Sequence, residues 1–377
     1  MAKRILGIDI GYDTLKLALV NGNQVRKTVV TPMPKRLLRE GRVVSPEAMG
    51  ELIRSTMREN GIRCSRAALA LSSEAVFVRN VTVPEMTAEQ LSINLPYEFR
   101  DYITDELKNY LFDYAMLSSP DQKEKAAKKE KKPKAPKEKK KKRMNALEAF
   151  EEEQAEEEAA EVLREDIGED AAPTMELLAV AAPITLMEES RDMLRKASLK
   201  LVRAAPGVCG YIGLIRNMKD QNRPASGEFC ILDLGYQAIR MYMFKGDRHE
   251  VTRALEFGLS RIDEVLADAY NVDVHLAHTY LLTNYEDCQH KEVCVNAFNN
   301  IAVELLRALN FYRFSNPESE LADIWLCGGG AAIGALTEAI AAGLDNMTFH
   351  SADELMPGGR ALEESYSLAQ AIGITQE

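Results

Sequence analysis

Residues 5–20 have the sequence ILGIDIGYDTLKLALV, an apolar run that meets an Asp-x-Gly turn and then resumes. The stretch 5–10 predicts a buried strand, and the stretch 15–20 predicts a second strand that returns beside it. Gly11 lets the backbone bend and approach a ligand closely. Amides at this bend and the hydroxyl of Thr14 are suited to binding phosphate oxygens. An ordinary hairpin with Asp and Gly in its turn is the alternative that this segment leaves open.

A second hairpin of the same type lies in the other half of the chain. Residues 229–244, FCILDLGYQAIRMYMF, place an apolar strand before an Asp-x-Gly turn at Asp233 and Gly235 and then return along an apolar strand. Two such hairpins indicate duplicated halves, which is more specific than either hairpin alone. Asp9, at the same place in the first hairpin, would act on phosphate through a metal ion or water, because a bare carboxylate repels phosphate.

A third glycine-rich turn follows the short apolar stretch 324–326. The residues Gly328, Gly329 and Gly330 lead from this predicted strand into a helix that begins near Ile333. Consecutive glycines at a helix start let a nucleotide approach the backbone and the positive end of the helix dipole. A tight turn from strand to helix without a ligand is the alternative.

The whole chain has the length of two or three domains. Its 377 residues carry a formal net charge of -11, which argues against nucleic acid as the main partner. The six cysteines are scattered without CxxC spacing, so neither a zinc site nor a disulfide framework is predicted. No stretch approaches the roughly 20 apolar residues of a membrane span, and the N-terminus lacks the pattern of a signal peptide. We therefore expect a cytoplasmic protein whose membrane association goes through a partner or the surface.

Residues 76–118 and 175–205 predict strand, helix, strand, strand, helix and strand in that order. The first helix is amphipathic, begins after Thr87 and is interrupted by Pro96. We interpret these segments together as one compact α/β subdomain.

Residues 119–174 separate the two parts of that subdomain. A lysine-rich run is followed by a glutamate-rich run, with too few apolar residues to form a core. We interpret them as a disordered, charged insertion that is solvated. A sharper alternative is that the basic stretch Lys139 to Arg143 contacts an anionic membrane or an acidic partner.

The three turns, in this order, resemble the layout of the actin-like ATPase superfamily, which also includes sugar kinases. Within it, the chain resembles the PilM family of type IV pilus assembly proteins. The segments that carry this resemblance are the first hairpin, VFVRNVTVPEMTAEQLSINLPYEFRDYI at 76–103 followed by FDYAML, the second hairpin, IWLCGGGAAIGALTEAI at 324–340, and SYSLAQAIGI at 365–374. Residues 76–103 discriminate most, because actin and sugar kinases have no similar segment there.

The resemblance implies an α/β, two-lobed actin-like ATPase fold with duplicated ribonuclease H-like halves and an IC-type subdomain. The boundaries that it implies are 1–75, 206–220 and 355–377 for subdomain IA, 76–118 and 175–205 for subdomain IC, and 221–354 for the second lobe.

The resemblance also implies that ATP and magnesium bind in the cleft between the lobes. The predicted ligands are Asp9 and Asp233 for magnesium through water, Gly11, Thr14 and Gly235 for the phosphates, Lys16 for the phosphate charge, and Gly328, Gly329 and Gly330 for the adenosine. A solvent-facing strand lysine is the alternative for Lys16.

The chain departs from its relatives in the second phosphate loop. Relatives carry small hydroxyl residues after this Asp-x-Gly, whereas this chain has Tyr236, Gln237, Ala238, Ile239 and Arg240. Where relatives commonly carry an acidic residue at the first connection between lobes, this chain has Ala-Pro-Gly at 205–207, so the sequence shows no carboxylate there that could orient an attacking water. We expect nucleotide binding to survive these changes better than hydrolysis.

In function, the resemblance implies a cytoplasmic scaffold of a type IV pilus or type II secretion-like machine. It would bind the cytoplasmic tail of a PilN-like inner-membrane protein near residues 91–103. It would also couple the pilus motor ATPase to the membrane platform. The chain itself would lie peripheral to the inner face of the plasma membrane. Packing in the core of that helix is the alternative role for 91–103.

Two other functional classes stay open. An active ATPase or sugar-kinase-like phosphotransferase would need a general base, and none can be assigned from the sequence. The five histidines form no cluster, and we expect His275 and His278 to lie on a helix surface. An FtsA-like cell-division protein or another filament former is the remaining alternative; the segment 371–377 does not resemble the basic amphipathic helix at the end of FtsA.

Overall fold

The computed structural model describes residues 4–34, 37–117, 173–217, 227–357 and 362–376. The predicted insertion 119–174, apart from its last two residues, lies outside the described residues, and so does the basic stretch within it. The described residues form three main sheets and nine α-helices.

The first sheet is built around the opening hairpin. Its strands in spatial order, β3-β2-β1-β6-β10, are β3 (Gln24–Pro32), β2 (Thr14–Asn21), β1 (Arg4–Ile10), β6 (Arg66–Leu71) and β10 (Lys200–Pro206). The first three strands pair antiparallel, whereas β1, β6 and β10 are parallel. A short hairpin, β4 (Leu38–Arg39) and β5 (Arg42–Val43), and the helix α1 (Pro46–Glu59) lie between β3 and β6.

The second sheet repeats the topology of the first. Its strands in spatial order, β13-β12-β11-β14-β15, are β13 (Arg248–Leu255), β12 (Ile239–Lys245), β11 (Glu228–Leu234), β14 (Asp323–Cys327) and β15 (Thr348–Ser351). Again three strands pair antiparallel and the last two follow in parallel. The identical order confirms the two duplicated halves.

The third sheet is smaller and lies beside the first lobe. Its strands in spatial order, β7-β9-β8, are β7 (Phe77–Pro84), β9 (Thr174–Pro183) and β8 (Tyr110–Met116). The helix α2 (Ala88–Asn94) begins with a capping box between Thr87 and Gln90, as the sequence predicts. It continues as a 3-10 turn at Leu95–Phe99, because Pro96 cannot donate to the α-helical ladder. Phe99 is fully buried in the core of this unit.

The last helix and strand of the predicted α/β subdomain join a different sheet. The strand β10 pairs in parallel with β6, and the helix α3 (Ile184–Lys196) packs against α1. The two helices approach closely at Gly50, where a Cβ atom would lie 2.5 Å from the carbonyl oxygen of Met193. The predicted order of elements is therefore confirmed, and the last helix and strand of this series pack against α1 and β6 of the first sheet. The subdomain boundaries themselves stay a prediction.

Two helices carry the chain between the lobes. The helix α4 (Gly207–Asn217) leaves the first sheet after β10, and the last helix, α9 (Ser365–Gly373), returns to pack against β1 and β2. A Cβ atom on Gly373 would lie 1.8 Å from the carbonyl oxygen of Gly210. A Cβ atom on Gly7 of β1 would lie 1.7 Å from the carbonyl oxygen of Ala371. Glycine is therefore required at both contacts.

The remaining helices cover the second sheet. They are α5 (Leu259–Tyr270), α6 (Val274–Thr283), α7 (Glu292–Ser315) and α8 (Gly334–Gly343). Their apolar faces form the core of the second lobe with β11 and β12. Among the helices of the described residues, none has both the length and the apolar character that a membrane span needs.

We expect Gly373→Ala to lower the free energy of unfolding by about 3 kcal/mol, because the added methyl group forces the backbones of α4 and α9 apart. Gly334→Ala is the matched control. No atom lies within 4 Å of its Cβ position, so its effect should stay within about 1 kcal/mol. Urea unfolding of both variants measures the difference, and equal stabilities would contradict the tight crossing.

Candidate functional site

The three glycine turns meet at one cavity between the two lobes. Of the predicted ligands, those that line it are Asp9, Gly11, Thr14, Lys16, Asp233, Gly235, Gly328 and Gly329. The cavity also includes Arg240 from β12 and Gln370 from α9. The fold thus brings together residues that lie more than 300 positions apart in the chain.

Lys16 faces this cavity and is not a solvent-facing lysine. It lies directly opposite Asp9 in the β1–β2 pairing, and its Nζ lies 2.9 Å from Asp9 Oδ2. The Lys16 side chain is 14% exposed. Burial is the largest single effect and lowers the pKa of Lys16, but the attraction and hydrogen bond of Asp9, together with the charges of Asp233 and Asp13, outweigh burial and raise the pKa above its ordinary value. The first hairpin therefore presents a buried ion pair to the cavity.

Asp233 is the corresponding carboxylate of the second hairpin. It lies directly opposite Arg240 in the β11–β12 pairing. Gln370 Nε2 donates a hydrogen bond of 2.9 Å to Asp233 Oδ2, and burial raises the pKa of Asp233. The guanidinium of Arg240 binds Glu74 on the first lobe, with Nη2 lying 3.0 Å from Glu74 Oε1. The second loop is thus held by contacts from two other parts of the fold.

The glycines of the site differ in what surrounds them. Gly328 has a φ of 84°, and a Cβ atom there would lie 2.4 Å from Asp233 Oδ1, so only glycine fits. Gly329 has no atom within 4 Å of its Cβ position and is exposed to the cavity. Gly330 is not part of the cavity lining, because it is buried against Leu234 and Leu259. The role predicted for the three glycines beside an adenosine stays a prediction.

His278 is a residue of the site that the sequence did not predict. Its Nδ1 lies 2.8 Å from Asp263 Oδ2, and its Nε2 lies 3.3 Å from Asp13 Oδ1 in the first phosphate loop. The expectation of a helix-surface histidine is therefore wrong for His278. The spacing to His275 carries no signal for this contact, because Asp13 belongs to the other lobe. The ring of Tyr236 packs edge-on against His278, with the centroids 5.3 Å apart.

The two carboxylates determine the charge of His278. Burial lowers the pKa of His278, but hydrogen bonding and attraction to Asp13 and Asp263 outweigh burial and raise it from 6.5 to about 10. His278 is therefore positively charged at neutral pH. It forms an ion bridge between the second lobe and the first phosphate loop.

The residues of the cavity fit a nucleotide that carries a cation. Asp9, Asp13, Glu74 and Asp233 outnumber the cavity-lining cations, so phosphate groups alone would be repelled. Within the described residues no group of three or more side chains is suited to hold a metal ion. Magnesium is commonly held by only one or two carboxylates, together with phosphate oxygens and water. Asp9 and Asp233 are the residues that would hold it, and the roles predicted for these and the other ligands stay predictions.

A family model described as type IV pilus assembly protein PilM matches residues 7–152 and 161–351. The chain belongs to the PilM family. A protein in a solved structure described as the PilM-PilN type IV pilus biogenesis complex is 21% identical to it. The match covers 98% of this chain and 97% of the other, with a TM-score of 0.73.

A second solved structure is more distant. The ethanolamine utilization protein EutJ from Carboxydothermus hydrogenoformans is 11% identical, with a TM-score of 0.53 over 99% of this chain and 89% of the other. No curated protein shows significant sequence similarity to the chain. This PilM-family chain therefore has the two-lobed actin-like ATPase fold that the sequence predicts.

We expect His278→Leu to lower the free energy of unfolding by about 3 kcal/mol at pH 6, because Asp263 then loses the partner of its buried charge. The pKa of His278 is raised on folding, so its contribution is complete below pH 6.5 and is lost as the pH rises through about 10. The difference from the unmodified chain should therefore shrink between pH 7 and pH 10.

Urea unfolding at several pH values checks this prediction. His275→Leu, on the exposed side of the same helix, is the control and should show little change at any pH. A stability difference for His278→Leu that does not vary with pH would contradict the charged bridge.

Proposed function

We propose that this PilM-family chain is a nucleotide-responsive, actin-like scaffold of a type IV pilus or type II secretion-like machine. It binds ATP with magnesium in the cleft between its lobes. It also binds the cytoplasmic tail of a PilN-like inner-membrane protein. The proposal is supported by the family match and by the similar protein in the structure described as a PilM-PilN complex.

The observation that carries nucleotide binding is the convergence of three glycine turns on one cavity. Gly11, Gly235 and Gly328 come from three separate strand ends, yet all three line the same space. Glycine at such turns lets a ligand approach the backbone amides closely. Lys16 adds a cation at the first turn, where a phosphate would lie.

Slow hydrolysis is part of this proposal. A general base must be free to accept a proton from the attacking water. Asp9 is paired with Lys16, Asp13 with His278, and Glu74 with Arg240. A cleft in which these carboxylates are paired supports binding better than turnover. An active ATPase or phosphotransferase would show steady turnover instead.

The tail of the PilN-like protein would bind at the third sheet. In the predicted segment 91–103, the buried residues are Leu91, Leu95, Phe99 and Ile103. Ile93, Tyr97 and Tyr102 point outward and are 67%, 57% and 51% exposed. Exposed aromatic and aliphatic side chains on a rigid unit are suited to anchor a peptide. These three residues are the contact surface that we propose.

A direct contact joins the third sheet, which carries this surface, to the second lobe. Asn80 on β7 donates hydrogen bonds to the carbonyl oxygens of His249 (2.7 Å) and Glu250 (2.8 Å) on β13. The neighbouring strand β12 carries Arg240. ATP that binds the closed cleft more tightly than the open one would therefore also favour one position of the third sheet.

The proposed place in the cell follows from the proposed partner. The chain would lie in the cytoplasm, peripheral to the inner face of the plasma membrane, and would be held there by the PilN-like tail. Contact with the pilus motor ATPase and contact of Lys139 to Arg143 with an anionic membrane or acidic partner stay predictions.

Isothermal titration with ATP and magnesium tests nucleotide binding. We expect the unmodified chain to bind and Gly329→Leu to weaken binding about tenfold or more, because the added side chain occupies the cavity. Gly334→Leu is the control, since its Cβ position is equally open but lies outside the cavity. Absence of binding, or equal binding by both variants, would contradict the proposed cleft.

A titration with a synthetic tail peptide of the PilN-like protein tests partner binding. Tyr97→Ala should weaken binding about thirtyfold if this side chain anchors the peptide. Tyr285→Ala, at an exposed tyrosine of the second lobe, should leave the affinity unchanged. Equal effects of the two substitutions would place the tail elsewhere.

A further inference from the structure

We infer that the guanidinium of Arg240 is the polyphosphate-binding group of the second lobe, in the role that Lys16 has in the first. This inference rests on the proposed nucleotide binding and deepens it. The sequence suggests that the second phosphate loop lost several of its phosphate ligands, because residues without a small hydroxyl group stand where relatives carry one. The structure points to a different interpretation, in which one long cation replaces several hydroxyl groups.

Lys16 and Arg240 occupy equivalent positions in the two hairpins. Lys16 lies opposite Asp9 in the first hairpin, and Arg240 lies opposite Asp233 in the second. Residues directly opposite each other in an antiparallel pair point to the same face of the sheet. The two sheets have the same strand order, so the two cations occupy equivalent places in the two halves. Both line the same cavity.

The turn of the second hairpin lacks the hydroxyl side chains that could bind phosphate. Between Asp233 and Arg240 the residues are Leu, Gly, Tyr, Gln, Ala and Ile, without serine or threonine. Arg240 is the cation that this hairpin contributes to the cavity. A guanidinium is planar, always charged and carries five N–H donors that match the geometry of phosphate oxygens. Its charge-assisted hydrogen bonds are stronger than those of a hydroxyl group.

In the structure, the guanidinium of Arg240 is paired with Glu74. Glu74 accepts a hydrogen bond of 3.0 Å from Nη2 of Arg240 and one of 2.7 Å from the hydroxyl of Tyr12. The Arg240 side chain is 18% exposed and is therefore held at the cavity wall. Glu74 thus positions the guanidinium, but it also competes with phosphate for its donors. A bound polyphosphate would share or replace the contact with Glu74.

Competition between Glu74 and phosphate for Arg240 makes it possible to distinguish a phosphate-binding Arg240 from an Arg240 that only forms a structural ion pair. If the pair only holds the lobes together, removal of either partner should have the same effect on nucleotide affinity. If Arg240 binds phosphate, Arg240→Met removes a ligand, whereas Glu74→Gln frees the ligand and removes a negative charge from the cavity. The two substitutions should then change the affinity in opposite directions.

Isothermal titration of the full chain with ATP, AMP and inorganic tripolyphosphate, each with magnesium, tests this inference. We expect Arg240→Met to weaken ATP and tripolyphosphate binding about tenfold or more and AMP binding by less than about twofold. Glu74→Gln should tighten ATP binding about threefold or more. Arg240→Lys should restore part of the affinity, because it keeps the charge.

Arg253→Met is the matched control. Arg253 lies on the neighbouring strand β13, over the ring of Phe311 and outside the cavity, so its loss should leave ATP affinity unchanged. Circular dichroism melting curves establish that each variant is folded. If Arg240→Met and Glu74→Gln weaken binding alike, the inference is overturned while the proposed nucleotide binding stands. If the unmodified chain binds neither ATP nor tripolyphosphate, both are overturned.

Discussion

The contact on which the whole arrangement depends is the backbone crossing of α4 and α9. These helices are the two passages of the chain between the lobes, and they touch at Gly210 and Gly373 without side chains between them. One turn earlier in α9, Gln370 donates to the carboxylate of Asp233. The same helix thus packs against the connection between the lobes and contacts the Asp-x-Gly turn of the second hairpin. A larger residue at either glycine would disturb both.

Three groups of oppositely charged side chains form ion pairs in and beside the cleft. Asp9 with Lys16, Glu74 with Arg240, and Asp13 and Asp263 with His278 are close pairs, and in each contact at least one of the two side chains is largely buried. Buried charges are tolerated only when they are compensated in this way. Two of these contacts, those of Arg240 and His278, cross between the lobes. In the proposed function, a nucleotide that enters would compete for these contacts, and this competition would change the population of open and closed forms.

The spacing of apolar residues and the turn residues predicted most of the strands and helices, because these elements depend on residues that are neighbours in the chain. The apolar runs on both sides of Asp9 and Asp233 predict the two hairpins, and the confirmed sheet order shows that these halves are duplicates. The local pattern did not predict which sheet β10 joins, because its partner β6 lies more than 100 residues earlier in the chain. His278 was misjudged for the same reason, since a helix pattern shows which residues are polar but not what lies opposite them.

The sequence alone determined the family, the two Asp-x-Gly hairpins and the glycine turn at 328–330, because apolar periodicity and glycine turns are short-range signals. Only the tertiary structure decided how these parts act together. It showed that Arg240 lies opposite Asp233 in the second hairpin, as Lys16 lies opposite Asp9 in the first. From the sequence, position 240 counted only as one of those that lack the small hydroxyl residue of relatives. It also brought His278 to Asp13 and left Gly330 outside the cavity. The physical reason is that charge pairing and close packing depend on distances between lobes, and no local pattern contains those distances.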